Sequence, residues 1–495
     1  MLIETKLKSA LILSGLSLCA QAQKPNILFL FADDQRADAI GASGNTYIRT
    51  PNIDLLAKSG VRFTSSYVMG GHHGAISAPS RAMLMSGKSL FHVYDRLEGV
   101  HTMPIHFAEN GYETFGTGKW HNGAPTFEAS FQKGKNVMIG GMSDHYNVPC
   151  RDLGKDRKLT KPVTKGFSTD LFAESAIEYL DNYAKGKREN PFFCYVAFTA
   201  PHDPRSPRKD YIGMYPPESI PLPGNFKPLH PFAFDQLNIR DENLAPWPRT
   251  PEIIQESLAD YYALISHLDS RIGDLIQALK SNGLFENTII VYAADNGLAI
   301  GSHGLLGKQD LYEHSMNVPL ILSGPGIPKE KVSDALVYLY DLFPTLSSLC
   351  QLPPPTGVDG KDLVQVIIGR SEGVRTALYT AYRNTVRAVR TKEWKIIYYP
   401  RRNFTQLFNL KKDPLEINNL AADATFQAKK LEMMQLLKEL YAANEDTASL
   451  KPKTILPLEV DPAKLKQQPD EFQPEYTLKK YFKAVDLTKM KKLKH

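Results

Sequence analysis

Two seven-residue runs, residues 26–32 (NILFLFA) and 288–294 (TIIVYAA), are apolar at nearly every position instead of at every second one. A strand with one wet face alternates, so an unbroken run predicts strands covered on both faces, as in a parallel sheet between helices. Residues 191–200 (PFFCYVAFTA) repeat the pattern, and residues 112–116 lead into Gly118-Lys119-Trp120-His121. Helical spacing fills the gaps. Residues 52–59 and 103–110 predict short helices, each closed by a glycine, Gly60 or Gly111. Residues 169–183 carry a stripe through Phe172, Ala176, Tyr179, Leu180 and Tyr183. A long helix is expected from Pro251, with Thr250 as N-cap, Leu258, Ile265, Leu268, Ile272, Leu275 and Leu279 on one side, and Gly283 at its end. Residues 201–250 hold eleven prolines and little periodicity, which predicts a long loop draped over the active face.

From about residue 375 the pattern shortens. Segments 386–391, 394–399 and 406–409, a turn at Lys412-Asp413-Pro414 and an amphipathic stretch over 426–441 predict a small antiparallel sheet packed with one helix. The fold class is therefore α/β: a large mixed, mostly parallel sheet flanked by helices, plus a small C-terminal antiparallel sheet. The expected boundaries are a leader over 1–22, an α/β domain over 23–372, an α+β subdomain over 373–450 and a Lys-rich tail over 451–495. That tail, with eleven lysines against six acids, reads as a solvated strap or frayed end, or as a contact for a polyanion.

Composition narrows the classes. With 495 residues, 42% hydrophobic and 23% charged, the chain is that of a globular protein with a large core. Its formal charge of +6 suits an anionic substrate, and no basic run interleaved with aromatics points to nucleic acid. Lys6 and Lys8, the apolar run over 10–20 and Ala20-Gln21-Ala22 read as a secretory signal cleaved after Ala22, which makes the protein exported, periplasmic or extracellular in a bacterium. No later segment reaches the roughly 18 apolar residues of a membrane span. Cys19 raises a lipoprotein reading, against which bulky Leu18 counts. Cys150, Cys194 and Cys350 remain after cleavage, too few for a disulfide-built scaffold.

The chemistry gathers at the ends of the buried runs. The first ends in Asp33-Asp34, the last in Asp295-Asn296-Gly297; two strands that deliver acidic and amide oxygens at one edge make an oxygen-rich site for a hard divalent cation. Ser77-Ala78-Pro79-Ser80-Arg81 precedes the apolar stretch 82–85 and places Ser77 just outside a helix N-terminus. Taken alone it is either a capped helix start or a nucleophile mount favoured by the helix dipole. Lys119, His121, His202 after Pro201, His303 in Gly301-Ser302-His303-Gly304, and Lys308 all lie in loops near those strand ends. His72 and His73 precede Ser77 and read as pocket or loop residues, and Arg205, Arg208 and Lys209 read as saccharide contacts or a solvated loop.

These motifs, in their order, resemble the type I sulfatases of the alkaline-phosphatase superfamily over nearly the whole chain after the leader: Pro25-Asn26-Ile27 through Asp33-Asp34, Ser77 to Arg81 continuing to Gly87, Gly118 to His121, Pro201-His202, Asp295 to Gly297, Lys308 before Tyr312-Glu313, and residues 407–420 with Asp413-Pro414 and Glu416. The resemblance implies that Ser77 is converted to formylglycine by a serine-type radical maturase before export. It implies one Ca2+ held by Asp33, Asp34, Asp295, Asn296 and the modified Ser77. Arg81 would fix the hydrated aldehyde, Lys119 and Lys308 would bind sulfate oxygens, His202 would be the general acid and His121 the base that releases sulfate. His303 and Arg205 are expected near the substrate, His303 either leaning on the metal or leaving group or orienting its loop. The implied activity is hydrolysis of sulfate esters on a sulfated carbohydrate, such as a glycosaminoglycan, mucin or algal fragment. A phosphate-ester or phosphonate hydrolase, and a non-catalytic binder of sulfated glycans, are the alternatives.

Overall fold

The structure, a computed structural model, describes residues 24–470, 473 and 475–482. The expected leader, Cys19 and part of the tail lie outside these residues. Asn26–Ala32 forms the centre of an eight-stranded sheet and every residue of it is buried, as its unbroken apolar run requires. The strand order across the sheet is Lys331–Ser333, Gly60–Phe63, Leu320–Ser323, Thr288–Ala294, Asn26–Ala32, Phe192–Ala197, Glu113–Lys119 and Lys133–Met138. The five strands from Thr288–Ala294 to Lys133–Met138 are parallel, whereas Leu320–Ser323 runs against both its neighbours. The sheet is mixed and mostly parallel, as expected.

Helices flank it. Ser168–Lys185 and Pro251–Ser281 pack together, and Pro51–Lys58 rests on the latter. Thr250 caps the long helix by accepting the Ile253 N–H, with Pro251 at its first position. Asp269, on that helix, accepts the Asn52 and Ile53 N–H groups at 3.0 and 2.7 Å and so caps the neighbouring helix from outside. Gly60 does not close a helix. Ser59 does that, and Gly60 opens a strand in which a Cβ would lie 2.0 Å from the Leu322 carbonyl oxygen. Close backbone approach, not a left-handed turn, demands glycine there.

The closing sheet has five strands, not the three read from alternation. Phe404–Asn409, Trp394–Tyr399, Val386–Thr391 and Ala377–Tyr382 pair antiparallel, and Gly70–Gly71 adds a parallel edge. Helix Gln427–Ala443 packs on this sheet through Met433 and Leu437. The chain segment just before Ser77 is thereby tied to the C-terminal unit. Between Pro201 and Thr250 there are only short 3-10 turns, consistent with the long loop. Cys150, Cys194 and Cys350 are buried free thiols, and among the described residues no helix is long and apolar enough to cross a membrane.

Candidate active site

Parallel register brings the chemistry together. Ala32 pairs with Ala294, and Phe31 and Gly118 both pair with Ala197, so the residues that follow these strands leave from one edge. Beyond the strands the ladder continues, with the Asp33 N–H on the Ala200 carbonyl at 3.1 Å and the Asp295 N–H on that of Ala32 at 3.2 Å. Gly118 is needed in its strand: φ is +88°, and a Cβ would meet the Ala197 oxygen at 1.8 Å. Asp34 (φ 64°) and His121 (φ 69°) also adopt the left-handed region that residues with a Cβ avoid. Both are among the residues expected at the site, and the structure around them holds them there.

Ser77 is the first residue of helix Ser77–Ser86 instead of lying outside it, with Ile76 as N-cap. Pro79 lacks an N–H that the first turn leaves unused in any case, so the helix can begin two residues before it. Every residue of this helix is buried, and Ser77 is 1% exposed. Its hydroxyl reaches no closer than 3.3 Å to Asn296 Oδ1 and 3.5 Å to Asp33 Oδ1.

Three carboxylates and three cations surround it. Lys119 Nζ donates to Asp33 Oδ2 at 2.5 Å, and Lys308 Nζ to both oxygens of Asp34 at 2.6 and 2.7 Å. Arg81 Nε donates to Asp295 Oδ2 at 2.9 Å, while its NH1 holds the Lys119 carbonyl at 2.8 Å. The Arg81 guanidinium lies over the Phe31 ring at 5.0 Å. Asp295 Oδ1 accepts the Asp34 N–H at 3.0 Å. Asn296 spends its Nδ2 on Asp34 Oδ1 and the Gly297 carbonyl, which leaves Oδ1 turned toward Ser77.

Burial raises the pKa of Asp33 well above the carboxylate range, with Asp295 adding to it against Lys119 and Arg81. Burial likewise raises Asp34 against the pull of Lys308. Burial also works to raise Asp295, but Arg81, Lys119 and Lys308 together hold it low. Carboxylates so crowded favour a divalent cation among them. The oxygen donors of Asp33, Asp34, Asp295, Asn296 and Ser77 fit a hard ion such as Ca2+. Asp33, Asp34 and His202 also bring ligand atoms within 4.8 Å of one another.

His202 Nε2 lies 3.6 Å from Asp34 Oδ2. Its Nδ1 lies 2.8 Å from the Asp203 carbonyl, which can only accept, so Nδ1 carries the proton and Nε2 is the nitrogen left to exchange one. The His202 carbonyl takes His145 Nε2 at 2.9 Å. Burial, then Lys308, lowers the His202 pKa well below its usual value, and burial, then Lys119 and Arg81, does the same to His121. His121 Nδ1 has no hydrogen-bond partner.

Not every expected residue converges. His303 stacks on Tyr312 at 4.1 Å and pairs its Nε2 with Asn225 at 3.1 Å, which orients its loop instead of reaching the carboxylates. Burial and His314 lower its pKa to about 2. Arg208 is taken up by Asp170 and Asp210, so it is no free saccharide contact. Arg205 is buried, with its Nε and one terminal nitrogen unpaired, and its charge is felt at Arg249 and Tyr481. His72 Nε2 donates to the Leu90 carbonyl at 3.0 Å, and His73 is exposed. Sequence reasoning missed Tyr261, whose hydroxyl donates to the Asp34 carbonyl at 2.8 Å and accepts the Arg36 N–H at 2.9 Å. It also gave no role to Asp203, although that residue adjoins His202 in sequence.

Comparison with known proteins finds matches along most of the chain. The model of the sulfatase family matches residues 25–352, and that of the N-sulphoglucosamine sulphohydrolase C-terminal region matches residues 301–443. The chain is 28% identical to an N-acetylglucosamine-6-O-sulfatase of Bacteroides thetaiotaomicron over 90% of this chain and 92% of that protein. It is 30% identical to an ulvan-active sulfatase of Formosa agariphila over 83% and 80%, respectively. A solved structure described as in complex with its substrate D-glucosamine-2-N,6-O-disulfate has the same fold, with TM-score 0.73 and 24% identity over 86% of this chain and 99% of the other.

Proposed function

We propose, from the premise that this chain belongs to the sulfatase family and is a sulfuric ester hydrolase, that it is an exported enzyme removing sulfate from a sulfated carbohydrate through a formylglycine made from Ser77. The observation that carries the reading is Ser77: a buried hydroxyl at a helix start, engaged only loosely, at the centre of three carboxylates and three cations. The saccharide substrate is supported by relatives named for glucosamine and ulvan sulfates, and by the net charge of +6. The serine-type maturase and the export route are parts of the same reading.

Asp33, Asp34, Asp295, Asn296 and the modified Ser77 would hold Ca2+, which lowers the pKa of an oxygen nucleophile and clamps the transferred group. The hydrated aldehyde supplies two geminal hydroxyls where serine has one, so sulfate can leave by C–O cleavage without water attack at sulfur. The chain's own residues do the rest. Arg81, locked to Asp295 and the Lys119 carbonyl, orients the hydroxyl that attacks. Lys119 and Lys308 carry the ammonium groups that meet the sulfuryl oxygens as charge develops there. His202, its Nδ1 spent on the Asp203 carbonyl, presents Nε2 as the nitrogen that, in the protonated ring, delivers a proton to the leaving oxygen. His121, kept neutral by burial and the nearby cations, accepts a proton from the second hydroxyl.

Two measurements test the reading. Mass spectrometry of a peptide spanning Ser77, from protein made in its native host, is expected to give the formylglycine mass; an unmodified serine would sink the mechanism. A panel of sulfated mono- and disaccharides, with phosphate and phosphonate monoesters beside them, is expected to yield sulfate release first, and faster phosphate release would favour the phosphohydrolase alternative.

A further inference from the structure

The tail does more than cover surface. The Leu456 N–H donates to the Arg401 carbonyl at 2.9 Å, and the Leu458 carbonyl accepts the Ala233 N–H at 2.7 Å. Lys466 N–H bonds Asn238 Oδ1 at 2.9 Å and Gln467 Oε1 accepts the Trp247 N–H at 3.1 Å, so the strap is laced to the proline-rich loop. At its far end, helix Glu475–Tyr481 is anchored through buried Leu478, Tyr481 and Phe482, which pack with Leu258 and Tyr261, and through Lys480 on Asp260 at 2.6 Å.

Between these anchors Asp470 and Gln473 come down on one ion pair. Arg240 grips the Asp203 carboxylate with both terminal nitrogens, NH1 at 2.8 Å from Oδ1. Asp470 Oδ2 accepts from Arg240 Nε at 3.0 Å, and Gln473 Nε2 donates to Asp203 Oδ2 at 2.8 Å. Asp203, Asp470 and Gln473 are all buried. Asp203 is also the residue whose carbonyl takes His202 Nδ1 at 2.8 Å and whose Oδ1 stands 3.4 Å from that nitrogen. The tail thus bears on the Asp203–Arg240 pair that backs the imidazole on its Nδ1 side.

We infer that Asp470 and Gln473 are positioning residues for His202: by fixing the Asp203–Arg240 pair, the C-terminal strap sets the ring that must deliver a proton to the leaving oxygen. The inference rests on the reading of His202 as general acid. The strap then acts as a distant part of the active site, closing it from a stretch of sequence more than 250 residues downstream of His202.

The test uses full-length matured protein with two probes, glucosamine 6-sulfate, whose alkoxide needs a proton, and 4-nitrophenyl sulfate, whose phenoxide needs little. Gln473→Leu and Asp470→Asn are expected to lower kcat on the sugar sulfate by about 10-fold or more with KM nearly unchanged, as loss of an outer supporting contact does. On the aryl sulfate they should cost less than about threefold, and Asp470→Glu should keep most activity on both. Equal losses on the two esters, or no loss on either, would overturn the inference. His202→Ala run in parallel separates the two ideas. If it loses both esters equally, the general-acid reading falls and the strap inference with it. If it is selective while the strap variants are not, only the strap inference falls. Should Gln473→Leu fail to fold, Asp470→Asn, which keeps the side-chain shape, decides by the same ratio.

Discussion

The molecule buries two clusters of opposite charge, built to different ends. Against the closing sheet, Lys395 Nζ lies 2.9 Å from Glu313 and 2.8 Å from Glu416, the Glu313 N–H donates to Glu416 at 2.7 Å, Tyr67 donates its hydroxyl to Glu313, and Arg390 stands 3.5 Å from Glu313. At the edge of the parallel sheet, Asp33, Asp34 and Asp295 meet Lys119, Lys308 and Arg81 just as densely. In both places pairing offsets a desolvation cost. The first cluster centres on Lys395, whose ammonium meets two carboxylates at once. The second holds a hydroxyl, that of Ser77, with no hydrogen-bond partner nearer than 3.3 Å. Buried charge is thus common to both places, and what sets the second apart is a loosely engaged hydroxyl among the charges.

The sharpest break would come from Ser77→Ala. It should lower sulfate release by at least about 10³-fold, as removal of a nucleophile does, and leave the melting temperature close to that of the parent. Retained turnover would return Ser77 to the same standing as Lys395. The mirror experiment is Lys395→Met. Stranding Glu313 and Glu416 should cost about 3–5 kcal/mol in urea unfolding with KM little changed, and a variant as stable as the parent would break the contrast from the other side. A smaller effect separates the clusters by ligand. Ca2+ at about 100 times its Kd should stabilise chelator-treated protein by about 2.7 kcal/mol, and Asp33→Asn or Asn296→Ala should remove that gain, whereas Glu416→Gln should not. The smallest is a slope. Burial pushes Glu416 up to about 7, against Lys395 and with Glu313 adding to it. A carboxyl whose folded pKa lies above its unfolded value near 4.5 contributes stability that is full below that value and lost as pH rises through the folded one. Stability should thus fall between about pH 4.5 and 7, and Glu416→Gln, unable to ionise, should flatten that part of the profile.

Much of this was legible in the chain before its structure. Buried parallel strands announce themselves as unbroken apolar runs, so Asn26–Ala32 and Thr288–Ala294 were readable to the residue, and with them the acidic groups at their ends. The convergence of Ser77, Lys119, His202 and Lys308 followed from motif order. What stayed hidden depends on partners distant in sequence. Gly70–Gly71 has no alternation and forms a strand only because Ala381 and Tyr382 pair with it. Ala377–Tyr382 opens on a half-buried edge where polar and apolar positions blur. His303 sits in a loop close to a buried strand as His121 and His202 do, but Tyr312 and Asn225 turn it aside. The strap carries the composition of a solvated tail, and nothing local to Asp470 or Gln473 names Arg240 and Asp203 as their partners.

The complete burial of Ser77–Ser86 sets an order of events in the life of the protein. If Ser77 is converted as proposed, the converting enzyme must reach it before this helix packs, because every residue of Ser77–Ser86 is buried in the folded chain. On the proposed conversion, modification and folding compete for the same newly made chain, and the loser is decided for good. Conditions that hasten folding, or export that outruns the maturase, should therefore yield well-folded molecules that are permanently silent, so that specific activity records the biography of each batch as much as its chemistry.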